Sequence, residues 1–348
     1  MNGFRRFSRK ALLLPRFVRA RWRGRPAPLI VGLSITARCN LRCSFCFGRY
    51  YEQKVEDISL SDLLGLIENL ADAGCLHINY SGGEPLLRKD IPDILRFTVD
   101  RGIITAVSTN GILVDRYLDV LKEIDFVSVS LDGDEASHDR VRGAGTYRKT
   151  MDNILLLRKE KVPVQVACLL NRYNGDSIRG LLELGKKHNF AVKMLIPNEE
   201  TELGPTNPDV DLSDEEIREA ISRIISWQRE GFPVFFSSET YRQALTWPKS
   251  HWEPIAYAGE DIKEPWPCYA GRYWCQIDAD GKVYPCCAMI KNFAALDFRE
   301  VGFDRAFRHA ATRPCRSCAY LSNNEFNQLI GLRYRSILEN IWRTVKWS

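Results

Sequence analysis

Residues 36–46, Thr-Ala-Arg-Cys-Asn-Leu-Arg-Cys-Ser-Phe-Cys, set three thiols, Cys39, Cys43 and Cys46, at C-x3-C-x2-C spacing. Three thiolates on one loop are the right number to hold three irons of a cubane iron–sulfur cluster. A cubane held by four cysteines has no vacancy. With three, the fourth iron is free to take a substrate or cofactor. A zinc site or three unrelated buried cysteines are the competing readings. Zinc sites usually build on paired C-x2-C knuckles, and no second knuckle lies close by. An apolar run, Leu29 to Ile35, precedes the thiols and reads as a buried strand. The thiols then leave its C-terminal end on a tight loop.

Further polar groups follow later apolar runs. Ser81-Gly82-Gly83-Glu84-Pro85 offers two glycines that let backbone approach a ligand closely, and Glu84 can accept from an ammonium group. Ser108-Thr109-Asn110-Gly111 ends a third run, and Ser130-Leu131-Asp132-Gly133 a fourth, with Arg142-Gly143 beyond. Each group alone is also an ordinary turn closed by glycine. An arginine can clamp a carboxylate through two parallel hydrogen bonds, which a lysine cannot reproduce.

The C-x3-C-x2-C loop, with aromatic Phe45 before the third cysteine, resembles the signature of the radical S-adenosylmethionine (SAM) enzymes. The resemblance implies a [4Fe-4S] cluster on Cys39, Cys43 and Cys46 whose open iron chelates SAM. One electron then cleaves SAM to methionine and a 5′-deoxyadenosyl radical, which removes a hydrogen atom from the substrate. By the same resemblance Gly82, Gly83, Glu84 and Pro85 match the motif that binds the amino group of SAM. Ser108 and Asn110 become candidates for the ribose, and Ser130 and Arg142 for the methionine end. Asp132 is a candidate cap for its loop, and Asn171 a candidate for the adenosyl side. An electron donor such as ferredoxin or flavodoxin is implied as a partner.

A second group of cysteines lies near the C-terminus. Cys268, Gly281 and Cys286 read as C-x12-G-x4-C around the turn Asp278-Ala-Asp-Gly281, a hairpin signal, and Cys315-Arg-Ser-Cys318 follows. This resembles the SPASM/twitch extension of radical SAM enzymes, in which a hairpin and a following helix hold auxiliary iron–sulfur clusters. The full SPASM pattern uses about seven cysteines, more than remain here, so the resemblance implies the shorter form with one auxiliary [4Fe-4S] cluster. Cys268, Cys286, Cys315 and Cys318 are its candidate ligands, with Cys275 and Cys287 as spares. A structural zinc on four thiolates suits the same spacing. Cys75 and Cys168 sit in apolar strand contexts and read as core, as does His77.

The positioning elements alternate. Strands are predicted at 29–35, 76–81, 103–108, 126–131, 163–170 and 190–196, and helices near 61–73, 89–101, 113–123, 147–160 and 176–188. Ser59 with Asp62 reads as a capping box for the first helix and Gly74 as its stop. Six strands alternating with helices argue for a parallel α/β sheet with right-handed crossovers. The family resemblance sharpens that to a partial (β/α)6 barrel with a small Cys-rich C-terminal domain. Ligands gather at the C-terminal ends of such strands, where the motifs fall. The expected organisation is a basic amphipathic leader over 1–28 and the barrel over 29–200. A bridging helix with aromatic loops over 201–265 and the Cys-rich domain over 266–320 follow, with an amphipathic helix over 321–348.

The chain of 348 residues is 45% hydrophobic and 27% charged, ordinary for a globular protein that buries a core. There is no secretory signal, so its 11 cysteines point to metal or redox chemistry in a cytoplasmic protein. No run approaches the roughly 20 apolar residues of a membrane span. The net charge of +5 hides an uneven distribution: every charged residue before Glu52 is basic. Phe4, Phe7, Phe17 and Trp22 interleave with arginines, which suits peripheral contact with an anionic membrane surface or a helix packed on the barrel. Nothing resembles a base-reading module, so nucleic acid is not an expected partner. The expected substrate is a peptide or protein, or a lipid-like metabolite, with a small polar metabolite third. Only 28 residues precede the barrel, few for a leader-peptide-binding domain, and there is no room for a cobalamin-binding domain. A non-catalytic iron–sulfur or zinc protein on the same barrel is the alternative from another class.

Overall fold

The apolar runs become strands of one parallel sheet. The computed structural model describes residues 24–46, 48–197, 209–262, 267–290 and 292–347, with Pro15, Phe17–Arg19 and Trp22 of the leader. The amphipathic reading of 1–28 falls mostly outside the described residues, as do the boundaries expected at 200/201 and 265/266. The first half runs β1 (Ile30–Ser34), α1 (Leu60–Asp72), β2 (His77–Ser81), α2 (Ile91–Asp100), β3 (Ile104–Thr109), α3 (Leu118–Leu121) and β4 (Phe126–Ser130). It continues through α4 (Glu135–Arg142), α5 (Thr146–Lys159), β5 (Val164–Leu169), α6 (Ile178–His188) and β6 (Ala191–Leu195). β1 to β6 pair in parallel in chain order. Each predicted strand is present to within a residue or so at its ends.

Alternation along the strands sorts the side chains. Leu33, Tyr80, Val107, Val129, Val166 and Met194 face the helices and form the main core. Their neighbours Asn79, Ser108, Ser128 and Gln165 take the opposite face, inside the barrel, and that face is polar. α1 begins where Ser59 accepts from Asp62 N at 3.1 Å, and its apolar stripe, Leu63, Leu66, Ile67 and Leu70, is buried. α4 was not predicted. It carries Glu, Ser, His, Asp and two Arg in eight residues and has no apolar period to read.

The C-terminal half holds α7 (Asp214–Arg229), α8 (Ser238–Leu245), β7 (Ile255–Tyr257), β8 (Trp274–Ile277), β9 (Lys282–Tyr284) and β10 (Leu296–Asp297). After these come α9 (Phe298–Val301), α10 (Phe303–Ala310), β11 (Cys315–Cys318), α11 (Leu321–Ile330) and α12 (Tyr334–Lys346). The hairpin of β8 and β9 does not form a sheet of its own. β8 pairs in parallel with β1, Ile30 opposite Trp274, and extends the barrel sheet to nine strands in the order β10-β9-β8-β1-β2-β3-β4-β5-β6. β11 pairs antiparallel with β7. The single C-terminal helix expected over 321–348 is two helices, broken at Leu332, which takes a left-handed φ of 56°. Among the described residues no helix is long and apolar enough to cross a membrane.

Candidate active site

The loops after β1 and β2 lie against each other as though the strands continued. Gly83 N donates to Thr36 O at 2.9 Å and Glu84 N to Arg38 O at 2.8 Å. This contact requires the two glycines. A Cβ on Gly82, whose φ is +133°, would stand 2.3 Å from Thr36 O, and one on Gly83 2.2 Å from Arg38 O. The double glycine therefore seats its own loop against the backbone that leads into Cys39. Asp57 holds the other side, accepting from Thr36 Oγ1 at 2.6 Å and Arg38 at 2.5 Å.

Glu84 is fully buried, and Pro85 after it opens a buried turn. Its Oε1 accepts from Thr109 Oγ1 at 2.8 Å and Leu86 N at 3.1 Å, and its Oε2 from Asn110 N at 2.8 Å. The carboxylate thus braces the loop after β2 to the loop after β3, and one lone pair of Oε2 is left for a further donor. Burial pushes this carboxyl up to about 7, against the three donors, which lower it. Asn110 also works within the scaffold: its amide donates to Asn40 Oδ1 at 2.8 Å, inside the cysteine loop, and accepts from Ile112 N at 3.0 Å. Ser108, on the interior face of β3, donates to Asn79 Oδ1 at 3.1 Å. Ser130 is half-buried on the interior face of β4.

Arg142, at the end of α4, reaches the cysteine loop. Its Nε donates to Asp132 at 2.5 Å, its Nη1 lies 3.8 Å from Cys43 Sγ, and its guanidinium carbon stands 5.2 Å from the Phe45 ring centroid. Asp132 is fully buried and accepts from Leu169 N at 2.8 Å through its other oxygen. It does not cap its loop; Asp134 caps α4 by accepting from Ser137 N at 2.9 Å. Burial raises the Cys43 thiol while the Arg142 cation lowers it, and burial pushes Cys39 up to about 11. His138, whose Nδ1 accepts from Asp132 N at 3.1 Å, is pushed down to about 4 by burial, with Arg142 adding to the effect.

A cavity of about 290 Å³ opens beside the loop. Phe45 and Cys46 line it, with Leu169, Asn171 and Leu195 at the ends of β5 and β6 and with Cys287 and Tyr320 from the C-terminal half. Cys287 donates weakly to Asn323 Oδ1 at 3.9 Å. Its neighbour Cys286 points away from the cavity and packs in a second core cluster with Cys315 and Cys318, against which Cys268 is seated. Burial raises the thiols of Cys286, Cys315 and Cys318; repulsion from Cys287 and the other three thiols adds to it at Cys286, while the Arg313 cation lowers Cys315. Arg313 ties this group together, donating to Cys268 O at 2.7 Å and to Cys315 O, with Nη1 3.7 Å from Cys315 Sγ. Of the two spares, Cys275 lies apart from this group: with Ile277 it occupies the outer face of β8, in the main core.

Both groups of thiols fit iron–sulfur clusters by their chemistry. Each gathers soft donors in a half-buried or buried place with one arginine beside a sulfur, and that cation offsets the negative charge of a thiolate-held cluster. Among the described residues, no three His, Cys, Asp or Glu side chains are set to hold a single metal ion.

A barrel with a triple-cysteine loop at the end of β1 and a double-glycine loop clasping it is the architecture of a radical SAM enzyme. Residues 33–185 match the sequence model of the Radical SAM superfamily, whose members act with a [4Fe-4S] cluster and SAM. The Fe-coproporphyrin III synthase of Methanosarcina barkeri is 30% identical over 214 residues, 59% of this chain. That match covers 54% of the relative, so this chain spans about half of its length. The PqqA peptide cyclase of Granulibacter bethesdensis is 25% identical over 313 residues, 84% of this chain and 79% of that protein. Among solved structures, Streptococcus suis SuiB superposes with a TM-score of 0.64 at 18% identity, over 81% of this chain and 67% of that one. That likeness is one of fold.

Asn40, Asp57, Asn79 and Arg313 had no signal in the sequence. Their partners are distant in the chain, and a polar residue in a loop looks the same whether or not it is bonded.

Proposed function

We propose that the protein cleaves SAM reductively at a cluster held by Cys39, Cys43 and Cys46 and directs the resulting radical at a substrate bound in the cavity between Cys46 and Cys287. When bound, the cluster supplies the electron and SAM the 5′-deoxyadenosyl radical that abstracts hydrogen. The chain's own residues bind and orient. Gly82, Gly83 and the free lone pair of Glu84 Oε2 receive the ammonium group of SAM, and Arg142 and Ser130 receive its carboxylate. Ser108 and Asn110 border the ribose, and Phe45 and Asn171 the adenosyl side of the cavity. The observation that carries this reading is the clasp of the double-glycine loop on the cysteine loop.

Cys268, Cys286, Cys315 and Cys318 hold an auxiliary [4Fe-4S] cluster in this reading, with Cys287 left as a free thiol at the substrate. Three of these thiols, Cys286, Cys315 and Cys318, are buried and Cys268 is half-buried; a structural zinc on the same four thiolates is the competing reading. The electron arrives from a donor of the ferredoxin or flavodoxin kind.

The substrate is a peptide or protein, or a lipid-like metabolite, that presents an apolar group to the hydrogen-abstracting end. Leu169, Leu195, Val210, Ala288 and Tyr320 make the cavity wall largely apolar. Lys193 lies two residues below Leu195 on the same face of β6. Burial pushes its amine down to about 8. It is placed to take an acidic group of the substrate. The relative that makes Fe-coproporphyrin III brings a tetrapyrrole forward as a second reading, since its side chains are also acidic. The basic leader adds peripheral contact with an anionic membrane in a cytoplasmic setting.

Anaerobic reconstitution with iron and sulfide, followed by SAM and dithionite, tests the reading. About eight irons per chain and formation of 5′-deoxyadenosine are expected. Folded protein that gains iron but yields no deoxyadenosine would return it to a non-catalytic iron–sulfur protein.

A further inference from the structure

α12 is packed inside out. On an ordinary surface helix the apolar stripe is buried and the polar face meets water. Here the polar residues face the body. Ser336 bonds Gln328, and Asn340 bonds Glu325, both on α11. Glu339 accepts from Ser238 N at 2.8 Å and Ser238 Oγ at 2.7 Å, at the start of α8. Arg343 donates to Phe235 O at 3.0 Å and pairs with Glu339 at 2.7 Å. The opposite stripe, Tyr334, Leu338, Ile341 and Trp342, follows helical spacing and is 52–65% exposed. These four are most of the exposed large hydrophobic side chains among the described residues.

A stripe of this kind is costly in water unless something covers it, at about 25 cal/mol per Å² of apolar surface. The charges around it identify the cover. Arg335 and Lys346 flank the stripe and are exposed, and Arg333 stands exposed at its entrance. The one acid of the helix, Glu339, is turned inward on Arg343 and Ser238. Lys346 lies 4.5 Å from the Trp342 ring centroid, and Arg335 5.8 Å from that of Tyr334, so cations ride on the aromatic edges. The outward surface is therefore apolar, aromatic and purely cationic. A protein partner needs a surface shaped to a convex single helix, whereas a bilayer accepts such a ridge without shape complementarity. Tyr, Trp, Lys and Arg are the residues that bridge acyl chain and headgroup.

We propose that α12 is an interfacial membrane anchor, its Tyr334–Leu338–Ile341–Trp342 stripe seated in an anionic lipid surface with Arg335 and Lys346 at the headgroups. The proposal stands on α12 alone and does not depend on the radical chemistry. The leader can add to it: Val18 and Trp22 are 45% and 90% exposed beside Arg19.

The test is sedimentation of the full chain with vesicles of phosphatidylcholine alone and of phosphatidylcholine with phosphatidylglycerol, at physiological salt. The wild type is expected to pellet with the anionic vesicles only. The double variant Leu338→Glu, Ile341→Glu should bind them at least about tenfold more weakly. Both side chains point to solvent, so the variant keeps its circular dichroism and its deoxyadenosine formation in solution; if it unfolds, Trp342→Ser replaces it in the same assay. Wild-type protein that stays in the supernatant overturns the proposal. So does a soluble dimer that the variant abolishes, which would assign the stripe to a second copy. Binding that the folded variant retains in full also overturns it and assigns membrane contact to the leader.

Discussion

The Arg142 guanidinium joins the buried carboxylate of Asp132, 2.5 Å from Nε, to the sulfur of Cys43, 3.8 Å from Nη1. A helix without an apolar face thus carries a cation that reaches the cysteine loop. Because Asp132 also accepts from Leu169 N, a single ion pair ties together the ends of β4 and β5 and the loop after β1.

Arg142→Lys keeps the charge but cannot span both partners. It is expected to slow deoxyadenosine formation by about 100-fold at unchanged iron content. Arg142→Ala leaves Asp132 buried and unpaired and should lower stability by about 3–5 kcal/mol, read from the denaturant midpoint.

Glu84 gives the protein a pH dependence. Its folded-state pKa, about 7, is raised above the ordinary carboxyl value of 4.5. Its contribution to stability is therefore fully present below about 4.5 and is lost as pH rises through about 7, a change of up to about 3 kcal/mol. SAM binding should run the other way and tighten between pH 6 and pH 8 on the order of tenfold, because the ammonium needs the ionised form. Glu84→Gln should flatten both profiles. It should also cost about 1–3 kcal/mol, since its amide would face the Asn110 N–H. Parallel profiles for the variant and the wild type would refute the assignment.

Gly83→Ala drives a methyl into Arg38 O and should open the clasp between the two loops. The expected result is SAM affinity reduced by at least about tenfold with the second group of cysteines still loaded. Equilibrium dialysis of SAM together with iron analysis separates the two effects.

The cysteines should divide by site. Cys43→Ala abolishes deoxyadenosine formation and leaves the C-terminal site filled. Cys286→Ser removes about four irons per chain and retains SAM cleavage without substrate. Cys287→Ser keeps all the iron and alters only turnover with substrate, because its thiol lines the cavity. Iron loss in Cys287→Ser would make it a ligand in place of Cys286.

The barrel was legible because parallel strands, covered on one face by helices, read as short apolar runs between glycines. The loops at their ends were legible as motifs, and the structure does bring the loop of Cys39, Gly82–Glu84, Asn110 and Arg142 together. What sits between them was not. Asn110 was expected at the ribose, yet its amide is bonded to Asn40, a pairing that no local pattern encodes. Cys275 could have been sorted by strand alternation, since it shares a face with Ile277 and not with Gln276. The apolar period of the C-terminal helix is real, and in the structure it faces outward. Periodicity reveals a stripe and not the direction in which it points.

The parallel pairing of β8 with β1 has a consequence for how the chain is made. Until Trp274–Ile277 leave the ribosome, the Ile30–Leu33 edge of the growing sheet shows a row of unsatisfied backbone groups, an invitation to self-association. Closing a contact between the first strand and the last third of the chain is slow. The nascent protein must therefore wait, edge open, next to a cysteine loop that is already translated. A chain truncated before β8 would keep that edge open permanently.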